Sequence, residues 1–136
     1  MLRSRPVAFA CFAGVTLFVW TTRIRNLYAP DNDVVGAAKA ATLAMSVVML
    51  VLGVAVAVLA VRPTSTVVQQ RVVGVAAALT TVVWLVRGTS IALGDRGAAF
   101  VAVHLVLAVG SVAVAGWAWW AVRSVEDCTP TATTTA

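Results

Sequence analysis

The chain has little of what catalysis and metal binding need. Its 136 residues include five acidic side chains, one histidine and two cysteines, and charged residues make up 11 % of the total, against roughly 25 % in an ordinary soluble domain. Nucleophile elbows, P-loops, HExxH motifs and CxxC pairs do not occur. We therefore predict no catalytic residues, no metal site and no cofactor, and we expect the protein not to be an enzyme.

The two cysteines form no recognisable pattern. Cys11 lies within the first apolar run and Cys128 in the polar C-terminal segment. Two cysteines placed in this way make neither a disulfide framework nor a zinc motif. We expect Cys11 to pack as a small hydrophobic residue.

Apolar residues are what the chain does have. They make up 61 % of the sequence, whereas soluble domains contain roughly 45–50 %. Ten Lys and Arg residues outnumber five Asp and Glu residues, but the basic residues stand singly at the ends of apolar runs. This distribution is typical of membrane-flanking anchors, and it lacks the clustered basic patch of a nucleic-acid-binding protein. The predicted partner is the lipid bilayer, and no nucleic acid is expected.

Four apolar runs predict four transmembrane helices. A spanning helix needs roughly 20 residues, and none of the runs shows the two-residue alternation of a spanning β-strand. The sequence thus predicts an all-α integral membrane protein, with one four-helix domain over residues 1–124 and a polar, disordered tail over residues 125–136. The predicted spans are residues 6–24, 34–61, 67–93 and 98–122.

A Trp-x-x-Arg motif occurs twice, 64 positions apart, as Trp20 with Arg23 and as Trp84 with Arg87. Three further identities share this offset: Thr16 with Thr80, Val19 with Val83, and Asp31 with Asp95. Because Trp, Arg and Asp are scarce in this chain, the matches favour an internal duplication. The repeated unit is a two-helix hairpin, and the two hairpins would be related by an axis along the membrane normal.

The repeated motif has two interpretations. In the favoured one, Trp20 and Trp84 anchor the chain at one lipid–water interface, with Arg23 and Arg87 reaching the headgroups. Gly88 is then expected to end the third helix. The opposite interface would be marked by Trp117, Trp119 and Trp120.

In the second interpretation, both arginines turn inward towards a polar pocket, with Asp31 and Asp95 as partners for Arg23 and Arg87. An arginine inside the hydrocarbon costs at least about 2.5 kcal/mol, so an inward position would indicate a functional role.

His104 is the only histidine, and it lies about two turns into the fourth span. We expect it to be a hydrogen-bonded packing residue. The alternatives are a proton or substrate carrier and a haem ligand. Acidic residues are absent from the centres of all four spans, which argues against a proton-coupled drug exporter.

The orientation of the protein in the membrane is predicted from a small difference in the number of Lys and Arg residues between its two sides. If Arg23 and Arg87 belong to the boundary itself, the side that carries both termini has more Lys and Arg than the other side. The positive-inside rule then places both termini in the cytoplasm and the protein in the cytoplasmic (inner) membrane.

These features leave three function classes open. The favoured one is an accessory or assembly subunit, or an oligomeric packing module, whose partners are other membrane-protein subunits or further copies of the chain. The alternative is a small transporter or channel formed by a homo-oligomer, with Arg23, Arg87 and His104 lining its polar path. The third is a holin-like membrane protein, suggested by size and helix number.

Overall fold

The computed structural model describes residues 4–30, 32, 34–62, 64–94 and 97–124. These residues form four α-helices and no strand, and each helix is long and apolar enough to cross a membrane. The prediction of an all-α membrane protein with four spanning helices is therefore confirmed. The predicted tail over residues 125–136 lies outside the described residues. The helices are α1 (Ser4–Leu27), α2 (Gly36–Val61), α3 (Thr66–Ala92) and α4 (Ala98–Arg123).

Local sequence explains where the helices begin. Gly36 opens α2 with a φ of +60°, a left-handed conformation that glycine adopts without the penalty of a Cβ atom. Ser65 caps α3, since its hydroxyl accepts a hydrogen bond from the backbone N–H of Val68 at 3.5 Å. The side-chain amide of Gln69 reaches back to the carbonyl oxygen of Thr64 at 3.2 Å, so the polar start of α3 is included in the helix.

The helices form a ring in chain order. The two most extensive interfaces lie within the hairpins α1–α2 and α3–α4, and the α1–α4 interface joins them on one side. The fourth interface, between α2 and α3, is the least extensive. The bundle therefore consists of two well-packed hairpins that meet closely on one side and less closely on the other.

Two glycines allow the helices of each hairpin to approach closely. A Cβ atom added at Gly53 would lie 3.1 Å from the Cδ2 atom of Leu17 on α1, and one added at Gly74 would lie 2.9 Å from the Cζ3 atom of Trp119 on α4. Small residues at such positions are the usual means by which membrane helices pack, because lipid supplies no hydrophobic force between them.

The main core lies in the half of the bundle that carries both ends of the described chain. Arg5 stabilises this end further. Its Nε donates to the carbonyl oxygen of Ala121 at 3.1 Å, and one terminal nitrogen donates to that of Val122 at 3.4 Å. These carbonyls belong to the last turn of α4, where a cation is favourable. The core residues include Phe9, Phe12, Val56, Val73, Ala115, Ala118 and Val122.

Candidate functional site

A cavity of about 410 Å³ lies at the opposite end of the bundle, where the α1–α2 and α3–α4 connections are. We call it the loop-end cavity. All four helices contribute to its wall, and Trp20 and Trp84 form part of its apolar lining. Its polar lining consists of Thr22, Arg23, Asn26, Asn32, Thr42, Arg87 and His104. Three of the residues singled out in the sequence, namely both arginines and the histidine, thus come from three helices to one cavity.

Arg23 is half-buried in the last turns of α1. Its guanidinium carbon lies 6.0 Å from the centroid of the Trp20 ring, at the limit of a cation–π contact. Its Nε is buried and has no hydrogen-bond partner among the described residues. A buried donor without an acceptor costs about 1–3 kcal/mol.

Arg87 is also half-buried, and α3 continues past it to Ala92. The expectation that Gly88 ends this helix is wrong. The polar residues that follow Arg87 form hydrogen bonds within the helix. Thr89 Oγ1 donates to the backbone carbonyl of Leu85 at 2.8 Å, and Ser90 Oγ donates to that of Val86 at 2.9 Å. Such bonds to the preceding turn let short polar residues remain in a helix. Arg87 is therefore placed more than one turn inside α3.

His104 faces the cavity from α4 and is half-buried. Its Nδ1 lies 2.9 Å from the carbonyl oxygen of Phe100, and the two rings stack at a centroid distance of 4.0 Å. Donation from Nδ1–H to this carbonyl leaves Nε2 as the ring atom available to a ligand, as an acceptor in the neutral form and a donor in the protonated form. The expected role in hydrogen bonding and packing and a role in binding are both compatible with this geometry.

The five tryptophans occupy different environments. Trp20 and Trp84 are 3 % and 7 % exposed, so their rings pack between helices. The anchor interpretation requires these rings to face lipid instead. An aromatic ring with one polar atom can fill the space beside a charged group as well as it can sit at a headgroup. Trp120 and Trp117 are 63 % and 38 % exposed, as an anchor needs. Trp119 is half-buried, with the guanidinium carbon of Arg123 5.5 Å from its ring centroid.

Asp31 and Asp95, the expected partners of the two arginines, lie outside the described residues. The neighbouring Asn32 is described and forms part of the rim. Its amide nitrogen donates to the carbonyl of Asn26 at 2.8 Å, and its Oδ1 accepts from the backbone N–H of Val34 at 2.9 Å. Both functional groups of this side chain therefore hold the α1–α2 connection in place over the cavity.

A second cavity of about 300 Å³ lies between α2 and α3, at their sparse interface. We call it the lateral groove. It shares Trp20, Arg23, Thr42 and Arg87 with the loop-end cavity, and the rest of its lining is apolar. Sequence reasoning missed this groove and the contribution of Thr42. The pattern gave no signal for either, because both depend on how closely the helices pack.

Comparison with known proteins adds no further information. The chain matches no protein-family model, no curated protein and no solved structure at a significant level. What the protein does must be inferred from the chemistry of its cavities. The described residues contain no group of three or more side chains able to hold a metal ion. Two guanidinium groups, one imidazole and several amide and hydroxyl groups are instead suited to bind an oxyanion.

Proposed function

We propose that this protein is a small membrane protein that binds an anion in its loop-end cavity. The observation that carries the proposal is the meeting of Arg23 and Arg87, from α1 and α3, in the wall of one cavity. A guanidinium presents several N–H donors in a plane, which suits phosphate and carboxylate groups.

This proposal favours the transport alternative over the packing module. The three residues expected to line a polar path, Arg23, Arg87 and His104, all border the cavity. Toward the other end, the interior is filled by the packed side chains of the core, among them Phe9 and Phe12. A cavity confined to one end of the bundle, with packed residues filling the other end, suits a binding site or one state of a transporter better than an open pore.

The other function classes stay predictions. An accessory subunit should co-purify with larger membrane proteins in fixed proportion, a packing module should form stable homo-oligomers, and a holin-like protein should kill cells when overproduced. The expectation that the chain is not an enzyme also stays a prediction.

Anion binding can be tested on the full chain in a neutral detergent. A ligand that binds only the folded state raises the unfolding temperature as its concentration rises. Inorganic phosphate should therefore stabilise the wild type beyond the effect of sodium chloride at equal ionic strength, and also more than it stabilises Arg23→Gln, because exclusion of phosphate from protein surfaces stabilises both proteins alike. Equal effects of the two salts at all concentrations would overturn the proposal.

We also propose that the protein lies in the cytoplasmic membrane with both termini in the cytoplasm, so that the loop-end cavity lies towards the outer side. The support is the small excess of basic residues on the terminal side. We predict that a reporter fused after residue 136 is active only in the cytoplasm, and one inserted at Asn32 only outside. Reporter activity on the same side for both fusions would rule out this topology, and a swap of sides would reverse the orientation.

We also propose an internal duplication of the two-helix hairpin, and equivalent positions of α1 and α3 support it. Thr16 and Thr80 are both buried, as are Trp20 and Trp84, so equivalent positions of α1 and α3 face the interior. Arg23 and Arg87 border the same cavity. A duplicated hairpin would explain why one ligand site receives the same pair of residues from two helices.

A further inference from the structure

The lateral groove opens on the outer surface of the bundle. Its inner wall is formed by the buried residues Trp20 and Val83, whereas its rim residues Met45, Val82 and Val86 are 39 %, 55 % and 63 % exposed. In a membrane these rim residues face lipid. The groove is therefore an apolar opening from the bilayer into the bundle, at the interface where the helices pack least closely.

The groove and the loop-end cavity meet at the arginines. Arg23 and Arg87 border both spaces, together with Trp20 and Thr42. On one side of the two guanidinium groups lies a cavity with amide, hydroxyl and imidazole groups, and on the other lies a cleft of Ala, Met and Val side chains. A ligand that fits both spaces has an anionic polar part joined directly to an apolar chain.

The depth of the arginines agrees with such a ligand. A helix of 26 residues, such as α2, is about 39 Å long, whereas the hydrocarbon layer is about 30 Å thick. A centred hydrocarbon layer then ends a few ångström inside each helix end. Arg23 and Arg87 precede the ends of their helices by roughly 6 and 8 Å, close to this boundary. Phospholipid phosphates lie just beyond it.

We propose that the ligand is an anionic phospholipid. Its phosphate is held by Arg23 and Arg87 in the loop-end cavity, and one acyl chain lies in the lateral groove between α2 and α3. This inference rests on the proposed anion binding and adds the chemical class of the ligand and its route of entry from the bilayer. A zwitterionic lipid is a poorer ligand, because its ammonium group would be brought close to two guanidinium groups.

The first test measures lipid selectivity. The full chain is reconstituted in vesicles with equal amounts of phosphatidylglycerol and phosphatidylcholine, extracted in neutral detergent, and the retained lipid is counted by native mass spectrometry. We expect phosphatidylglycerol to be retained in about tenfold excess, the ratio given by a difference of 1.4 kcal/mol. Arg23→Gln should remove this excess, whereas Arg25→Gln should keep it, because Arg25 is exposed and borders neither space.

The second test blocks the groove without touching the arginines. Val82 and Val75 lie seven residues apart on α3 and are 55 % and 53 % exposed, but only Val82 borders the groove. Val82→Trp should lower the retention of phosphatidylglycerol about tenfold while preserving stabilisation by glycerol phosphate, which has no acyl chain. Val75→Trp should leave both unchanged and controls for the added bulk.

The results separate the two levels of the proposal. Suppose that glycerol phosphate stabilises the protein, but that both lipids are retained equally or Val82→Trp has no effect on retention. This result would overturn the phospholipid inference and leave a site for a soluble anion. Absence of stabilisation by either phosphate or glycerol phosphate, together with no preference for phosphatidylglycerol, would overturn the anion site itself. Phosphatidylglycerol excess that depends on both Arg23 and Val82 supports the full proposal.

Discussion

Replacing Arg23 with glutamine is expected to lower the affinity for phosphate at least about tenfold, since a charge-assisted hydrogen bond contributes about 1.5–3 kcal/mol. The unliganded protein should remain about as stable as the wild type. The Nε of Arg23 has no hydrogen-bond partner among the described residues, so the substitution breaks no hydrogen bond of that atom, and the glutamine amide occupies the same buried place. Affinity is measured from the rise in unfolding temperature with phosphate concentration.

Arg25→Gln is the matched control, because Arg25 lies two residues away on the same helix and is exposed. It should change neither affinity nor stability by more than about 0.5 kcal/mol. If Arg23 instead serves to pair with Asp31, which is outside the described residues, then Arg23→Gln and Asp31→Asn should each destabilise the unliganded protein. That result, with phosphate affinity unchanged, would show that Arg23 has a structural role and no part in binding.

Replacing Gly74 with alanine is expected to destabilise the bundle by about 2 kcal/mol, within the range observed for overpacked cores. The added Cβ would lie 2.9 Å from the Trp119 ring, too close for contact, so the ring or the helix must move. Because α3 and α4 share one of the two largest interfaces, the loss should appear as a lower midpoint of unfolding by denaturant in detergent.

Gly14→Ala provides the control for helix propensity. A Cβ added at Gly14 meets nothing within 4 Å, so this substitution should be neutral or stabilising by up to about 1 kcal/mol. Both glycines occur in small-xxx-small patterns on their helices. Equal responses of the two variants would mean that α3 and α4 do not approach closely at Gly74.

The number and approximate positions of the helices could be predicted from the sequence because lipid imposes a simple requirement. Each span must be a long apolar run with its backbone bonds satisfied internally, and four such runs exist. The repeated Trp-x-x-Arg motif also singles out Arg23 and Arg87. Both of these residues border the cavity.

The direction in which those residues face could not be predicted. In a soluble helix an apolar stripe identifies the buried face, but these helices are apolar on all sides. Phe18 and Trp20 are two large aromatic residues two positions apart on α1, yet Phe18 is 68 % exposed and Trp20 is 3 % exposed. Nothing in the local sequence separates them.

The lateral groove depends on a property that is even less visible in the sequence, namely the unequal packing of the helix pairs. Gly53 and Gly74 are close to side chains of α1 and α4, so both serve contacts within hairpins. The interface between α2 and α3 has no equivalent close approach at a described glycine. Which glycine serves which interface becomes known only when the helices are assembled.

Whether Arg23 and Arg87 act on one ligand is tested most directly by a double-mutant cycle on phosphate affinity. Arg23→Gln, Arg87→Gln and the double variant are compared with the wild type under identical conditions. Groups that hold the same ligand are coupled, whereas independent sites give additive effects within about 0.5 kcal/mol. We predict that the double variant loses less affinity than the sum of the single losses, by at least about 1 kcal/mol. Strict additivity, or single variants that bind phosphate as well as the wild type, would contradict a shared anion site at the loop end of the bundle.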